Sequence, residues 1–221
     1  MTIISLGWNC DPAIMCTQMK LKLTKEKGYL TCPFDLMVTN YKGICECIRD
    51  KFKYLTDINY LVIDNNAIYH TKYKFIFNHE SPNHFDILKH ENWSSPNHFV
   101  DNNFEKFIDR YNKRIANFNK YISENYVIFV HQRYNSISPE LDNAIHETYP
   151  QLKYRILCVT KSETEHGKPE FEKIFVDKYD PIEMERFEST EKLKNVEGNC
   201  INVVNYKNIT HNFINIVRNK L

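Results

Sequence analysis

Glycine is scarce, with five residues in 221. Phosphate-cradling and dinucleotide-binding turns lean on glycine, because the backbone must come close to its ligand or take positive φ. Neither G-x-x-x-x-G-K-[ST] nor G-x-G-x-x-G occurs, which weighs against nucleotide-binding turns of those kinds. G-x-S-x-G and H-E-x-x-H are missing too, so there is no serine-hydrolase elbow and no zincin helix. No apolar run approaches the roughly eighteen residues of a membrane-spanning helix, and no membrane partner is expected. The N-terminus has no basic region ahead of a long apolar stretch, so no secretory signal is expected. An excess of one charge is also lacking: Lys+Arg is 29 and Asp+Glu is 28. Nucleic-acid binders carry a basic footprint, so no nucleic-acid partner is expected. Cys45 and Cys47 are one residue apart and no second pair exists, whereas zinc knuckles use C-x2-C pairs. Neither a metal nor another cofactor is expected.

Apolar material is plentiful. The chain is 42% hydrophobic and 14% aromatic, enough for the core of a single α/β domain over 1–221. The seven cysteines are an odd number without a signal segment, which predicts free thiols in a reducing, cytoplasmic setting. Asn, Lys, Ile and Tyr are abundant. That bias suggests an AT-rich coding genome, as in many large DNA viruses and some protists; for a viral protein the expected setting is the host cytoplasm.

The first twenty residues carry the sharpest local signal. The apolar run Ile3-Ile4-Ser5-Leu6 stops at Gly7, and Asn9-Cys10-Asp11-Pro12 follows. This predicts strand, tight turn and helix, with Asp11 as N-cap and Pro12 at the first helical position. Cys10 then lies beside a helix N-terminus, where partial positive charge favours thiolate. The same position also suits a cysteine packed under the first turn, since free Cys is among the most buried residue types. Farther on, Pro33-Phe34-Asp35 is a rigid turn. Asp35 either serves a site near the Cys10 helix or closes an Asx-turn.

Residues 44–55 suggest a short helix. Residues 60–63 and 67–77 suggest a hairpin turning at 64–66, inserted with a polar loop over about 60–100. That loop holds the near repeat Ser81-Pro82-Asn83-His84-Phe85 and Ser95-Pro96-Asn97-His98-Phe99. Phe104, Phe107, Ile108, Tyr111, Ile115, Phe118 and Ile122 predict an amphipathic helix over 103–124, with Asn102 and Glu105 at capping-box spacing. Arg110 and Arg114 are assigned to its solvated face. A buried strand follows at 126–130, a helix at 138–147, strands at 153–159, 172–177 and 200–204, and a closing helix at 208–219. Strands alternating with helices predict a mainly parallel sheet in Rossmann-like or flavodoxin-like layers, with strands 3–6 and 126–130 near its centre. Ligands sit beyond the carboxyl ends of such strands, where Cys10 and His131-Gln132-Arg133 would both fall.

A thiolate needs a base, and the base needs an orienting group. His70, His79, His84, His90 and His98 crowd into one stretch with Glu80, Asp86 and Glu91, and that stretch could supply both. Taken singly, each of these histidines also reads simply as part of a solvated polar loop.

The pattern Ser5-Leu6-Gly7-x-Asn9-Cys10-x-Pro12-Ala13, followed by Cys32-Pro33-Phe34-Asp35-Leu36, resembles the putative papain-like cysteine peptidase family of bacteria, some eukaryotes and large DNA viruses. Phe77-Asn78-His79 resembles the family's F-x-H segment. Arg110-Tyr111-Asn112-Lys113-Arg114-Ile115-Ala116-Asn117-Phe118 resembles its K-Y-x-x-R-I-x-x-F helix, and 127–130 the strand after it. Leu36 replaces the usual aromatic residue, and His131 stands where an Arg is common. The resemblance implies Cys10 as nucleophile, His79 as base and Asp35 as an orienting group. His131, ending a buried strand, competes with His79 for the role of base.

Three readings follow. The first is a thiol-dependent hydrolase or transferase acting on an acyl or amide bond of a protein or glycan substrate. Asp35 or Asn9 would orient or stabilise, and backbone N–H groups at 11–13 would hold the oxyanion. The second is a glycan- or nucleotide-sugar-modifying enzyme in which Trp8, Trp93 and the tyrosines stack on sugars. The third is a non-catalytic viral or host-interaction module. Oligomeric state is not legible in the sequence.

Overall fold

The computed structural model describes residues 2–7, 9–18, 22–87, 92–124, 126–132, 140–163, 169–177, 194–196 and 200–203. Trp8, His90, Arg133 and the helix expected at 208–219 lie outside the described residues.

The chain begins with strand β1 (Thr2–Ser5) and helix α1 (Asp11–Gln18). Helix α2 (Tyr41–Arg49) starts three residues earlier than expected, because Asn40 caps it: its Oδ1 accepts from the Gly43 N–H at 2.8 Å. A small antiparallel sheet follows, built from β2 (Leu61–Asp64), β3 (Ala67–His70) and β4 (Phe75–Ile76). Asn65 and Asn66 both take positive φ, 49° and 59°, as a two-residue hairpin turn requires. Past β4 the polar stretch forms 3₁₀ turns at Asn78–Glu80 and Pro82–His84. Then come α3 (Asp101–Glu124), β5 (Val127–Gln132), α4 (Glu140–Thr148), β6 (Tyr154–Glu163), β7 (Pro169–Asp177), β8 (Lys194–Val196) and β9 (Cys200–Val203).

The large sheet has the order β1-β5-β6-β7-β9-β8. Its β1–β5 and β5–β6 pairings are parallel, and its β6–β7, β7–β9 and β8–β9 pairings are antiparallel. The fold is therefore α/β, but the expectation of a mainly parallel sheet is corrected, and β1 lies at one end of the strand order. The reason is chain length. Only residues 164–168 separate β6 from β7. A parallel crossover needs about a dozen residues or more, whereas a hairpin closes with a few.

In the register Ile4↔Phe129↔Ile156, all three side chains are buried. Helix α3 spans the two sheets. Its Phe118 stacks on Phe129 of β5, with ring centroids 6.1 Å apart, and its Phe107 and Tyr111 pack edge-on against Phe77 just past β4, at 4.7 and 4.9 Å. Asn102, Asn103 and Phe104 are left-handed, so the regular part of α3 begins after them. The Asn102 amide then meets the Glu105 carboxylate directly, at 3.4 Å. Helices α2 and α4 pack together through buried Ile44, Ile48, Leu141 and Ile145, with Arg49 bridging Glu140 and Glu147 at the surface.

Candidate active site

Cys10 is set by a strand that ends abruptly. Gly7 takes φ +85°, and a Cβ there would come within 2.4 Å of Thr39 Oγ1. Only glycine allows both that conformation and that approach. The chain then turns into α1, where the Ile14 N–H donates to the Cys10 carbonyl at 3.0 Å. Cys10 itself is thus the N-cap, one residue earlier than expected, and Pro12 is the second helical residue. Its missing N–H costs nothing in the first turn.

Exposure separates the thiols. Cys10 is half-buried, whereas Cys16, Cys32, Cys45 and Cys47 are buried. Burial pushes the Cys16 thiol up to about 12. It also raises Cys32, with the Asp35 charge adding to the effect, and Cys47, with the Asp50 charge adding. Buried thiols held protonated are poor nucleophiles.

The segments bearing the other candidates are stitched to the Cys10 loop. Gly7 packs on Thr39, and the neighbouring Val38 bridges Ile76 with backbone bonds of 2.8 and 2.9 Å. The Asp35 turn and the His79 turn thus flank one short antiparallel bridge. On the other side, the Leu6 N–H donates to the Val130 carbonyl at 2.8 Å, one residue before His131. Asn9 and His79 are half-buried, while His131 is 1% exposed and packs on Tyr41 with ring centroids 5.5 Å apart. Cys10 follows the carboxyl end of β1, and His131 is the penultimate residue of β5, the parallel strand beside it.

Asp35 is committed locally. Its carboxylate accepts from Cys32 N at 2.8 Å, Tyr29 Oη at 3.0 Å and Lys22 Nζ at 3.2 Å. The first bond closes a capping box on the 3₁₀ turn Pro33–Leu36. The second and third form a buried charge cluster beneath α1, where Lys22 also sits 4.2 Å from the Tyr29 ring centroid. None of the three donors is an imidazole.

A second buried charge cluster was not legible as a site in the sequence. Glu80, next to His79, is fully buried and receives Arg114 Nη2 at 2.9 Å, Arg110 Nη1 at 3.1 Å and Tyr111 Oη at 3.1 Å. The assignment of Arg114 to a solvated face is corrected, since it is 6% exposed. The signal was its spacing: residues 107, 111, 114 and 118 share one helical face.

Three other histidines of the stretch, His70, His84 and His98, make contacts of their own. His70 is fully buried, with its ring nitrogens facing the Tyr54 carbonyl and the Tyr73 N–H. His84 pairs with Asn83, and His98 accepts from Ser94 N. Trp93 is packed among Phe85, His98 and Phe99. Among the described residues no group of three His, Cys, Asp or Glu is placed to hold a metal ion, and no helix is long and apolar enough to cross a membrane.

Two depressions flank the Asp35 turn. One, of about 360 Å³, is walled by Ala13, Ile14 and Thr17 of α1 and has Lys22, Tyr29 and Asp35 among its lining. The other, of about 790 Å³, runs along α3, and the two share Lys25, Tyr29, Thr31 and Leu36.

An α/β domain with a half-buried thiol at the first turn after a parallel strand defines a class of thiol-bearing α/β proteins. The chain belongs to the family described as Putative papain-like cysteine peptidase (DUF1796), whose model matches residues 1–164. No curated protein and no solved structure matches the chain.

Proposed function

We propose that this protein is a thiol-dependent hydrolase or transferase acting on an acyl or amide bond, with Cys10 as nucleophile. The observation that carries the reading is the contrast among thiols: Cys10 is half-buried at the start of α1, while Cys16, Cys32, Cys45 and Cys47 are buried. Cys10 Sγ attacks the carbonyl carbon as the base takes the thiol proton. The tetrahedral oxyanion is held by first-turn N–H groups of Asp11 and Ala13, since Pro12 has none. Collapse expels the amine or alkoxide, which leaves with the proton from the imidazolium. Water or an acceptor nucleophile then cleaves the thioester and restores the thiol.

His79 is the favoured base. It matches the family's F-x-H segment, its turn joins the Asp35 turn through the Val38–Ile76 bridge, and it is half-buried where His131 is enclosed. A base must exchange protons with substrate as well as reach the thiol. Asn9 orients or stabilises from the same loop as Cys10, and Asp35 fixes the turn under α1. The β1–β5–β6 half is read as a Rossmann-like or flavodoxin-like layer, with a protein or glycan substrate at its carboxyl edge.

Limited alkylation with iodoacetamide near neutral pH, followed by peptide mapping, tests this. Cys10 labels first, and His79→Ala moves the pH profile of its alkylation upward, because an imidazolium partner favours thiolate. An unchanged His79→Ala profile beside a shifted His131→Ala profile transfers the role to His131. First labelling at Cys32, Cys45 or Cys158 with Cys10 inert overturns the nucleophile.

A further inference from the structure

The depression along α3 is strongly basic. Lys25, Lys106, Arg110, Lys113 and Arg114 line it against a single acidic residue, Asp109. Its volume of about 790 Å³ lies within the usual range of small-molecule sites, roughly 300–1,000 Å³. Two features separate it from an ordinary solvated helix face.

The first is a buried donor. Arg114 is 6% exposed, its Nη2 is bound to Glu80, and its Nη1 has no hydrogen-bond partner among the described residues. A buried guanidinium N–H without an acceptor is costly, and charge-assisted bonds to an anion are what such a group recognises. The second is local charge. Glu80 is one carboxylate facing two guanidiniums, Arg110 and Arg114, and the nearby Asp35 is already matched by Lys22. Both guanidiniums thus stand at the wall of a cavity whose lining carries five Lys and Arg side chains and one acidic residue. Arg110 and Arg114 are also stiffened, with their guanidinium carbons 4.3 Å from the Phe99 ring centroid and 4.6 Å from that of Tyr111. Partial burial first, and then Lys106 and Arg110, hold His98 at the cavity rim below the usual imidazole range.

We infer that this cavity is a binding site for the phosphoryl group of a small molecule, with Arg114 and Arg110 as the fixed anchors and Lys25, Lys106 and Lys113 closing on it. Planar forked donors together with mobile ammonium groups suit a tetrahedral dianion, which has acceptors on several sides. The site is built from side chains, so it needs no glycine-rich loop. The shared wall of Lys25, Tyr29, Thr31 and Leu36 leads from it to the depression beside α1, leaving room there for the rest of the ligand. Binding at this site does not depend on Cys10 chemistry.

The test is isothermal titration of the full chain with inorganic pyrophosphate at low ionic strength, paired with thermal melting. Saturable binding is expected, with a melting temperature that climbs with ligand concentration. Lys106→Gln/Lys113→Gln, which changes only exposed positions, should weaken binding about tenfold or more. Arg114→Lys retains a cation for Glu80 but loses the forked donor, and should weaken it comparably. Cys10→Ala should bind as the parent does, so that a failed nucleophile and a failed anion site give different results. Equal binding by the parent and the double lysine variant overturns the site. Malonate binding as tightly as pyrophosphate overturns the phosphoryl assignment in favour of a carboxylate site.

Discussion

Removing the Glu80 carboxylate should unfold much of the structure's margin of stability. The carboxylate is fully buried and takes three donors, from Arg114, Arg110 and Tyr111. In Glu80→Ala the Arg114 guanidinium, at 6% exposure, is left charged and unpaired. Breaking a buried pair from one side costs about 3–5 kcal/mol. The Tyr111 hydroxyl loses its acceptor, adding about 1 kcal/mol. The Arg110 side chain is 29% exposed, so water compensates it and its share is small. The sum is roughly 4–6 kcal/mol, against a typical total of about 5–15. With a urea m-value of about 2–3 kcal/mol/M for a chain of this size, the midpoint falls by roughly 1.3–3 M. Circular dichroism through a urea series reads this directly. A second substitution separates charge from packing: Arg114→Met on the Glu80→Ala background removes the orphaned cation and should recover at least about 2 kcal/mol, a coupling that double-mutant cycles resolve. A loss below about 1 kcal/mol for Glu80→Ala, or no recovery in the double variant, refutes the idea that this carboxylate is the buried counterion of Arg114.

Two further expectations concern the same core. His70 is buried with Nδ1 accepting from the Tyr73 N–H at 3.1 Å, so the ring proton sits on Nε2 and is given to the Tyr54 carbonyl at 2.9 Å. Burial pushes its pKa down, and protonation would also break the Tyr73 bond. The unfolded chain therefore takes up a proton near pH 6.5 that the native state refuses, and stability is full above that pH and declines as pH falls below it; a His70→Phe variant should show a flatter profile in urea melts between pH 7 and 5. Gly7→Ala adds a methyl within 2.4 Å of Thr39 Oγ1 at φ +85° and should cost about 2 kcal/mol or more by thermal melting, with part of the loss recovered by Thr39→Ala.

The legible parts of the fold were those set by local chemistry. The 126–130 run, the hairpin around Asn65-Asn66 and the stripe from Phe107 to Phe118 announce themselves by period and turn residues, and each formed. The sheet's sense is not legible in the strand-forming patterns, which do not encode direction; it follows from the short connection at 164–168 between β6 and β7. The start of α2 moved to Tyr41 because Asn40 was available as a cap, a tertiary choice that also ties its amide to the Tyr73 and Lys74 carbonyls. At the candidate site, Cys10 was readable from strand, turn and proline. Asp35 was readable as important, but not as the partner of Lys22 and Tyr29, which approach it from a loop without period. Arg114 was hidden because a charged residue on an apolar stripe looks like an error in the pattern until its buried counterion, 34 positions away in sequence, is known.

The family model ends at residue 164, just past the last residue of β6. Everything the sheet gains afterwards, β7, β9 and β8, is added to the edge that β6 presents, while Cys10 and His131 belong to the opposite flank formed by β1 and β5. An edge strand is a template that accepts new strands by backbone bonding alone, whatever their side chains. The large sheet is thus polarised: Cys10 and His131 belong to the β1–β5 flank inside the matched span, and the strands beyond that span extend the sheet from β6 on the other side, by backbone pairing.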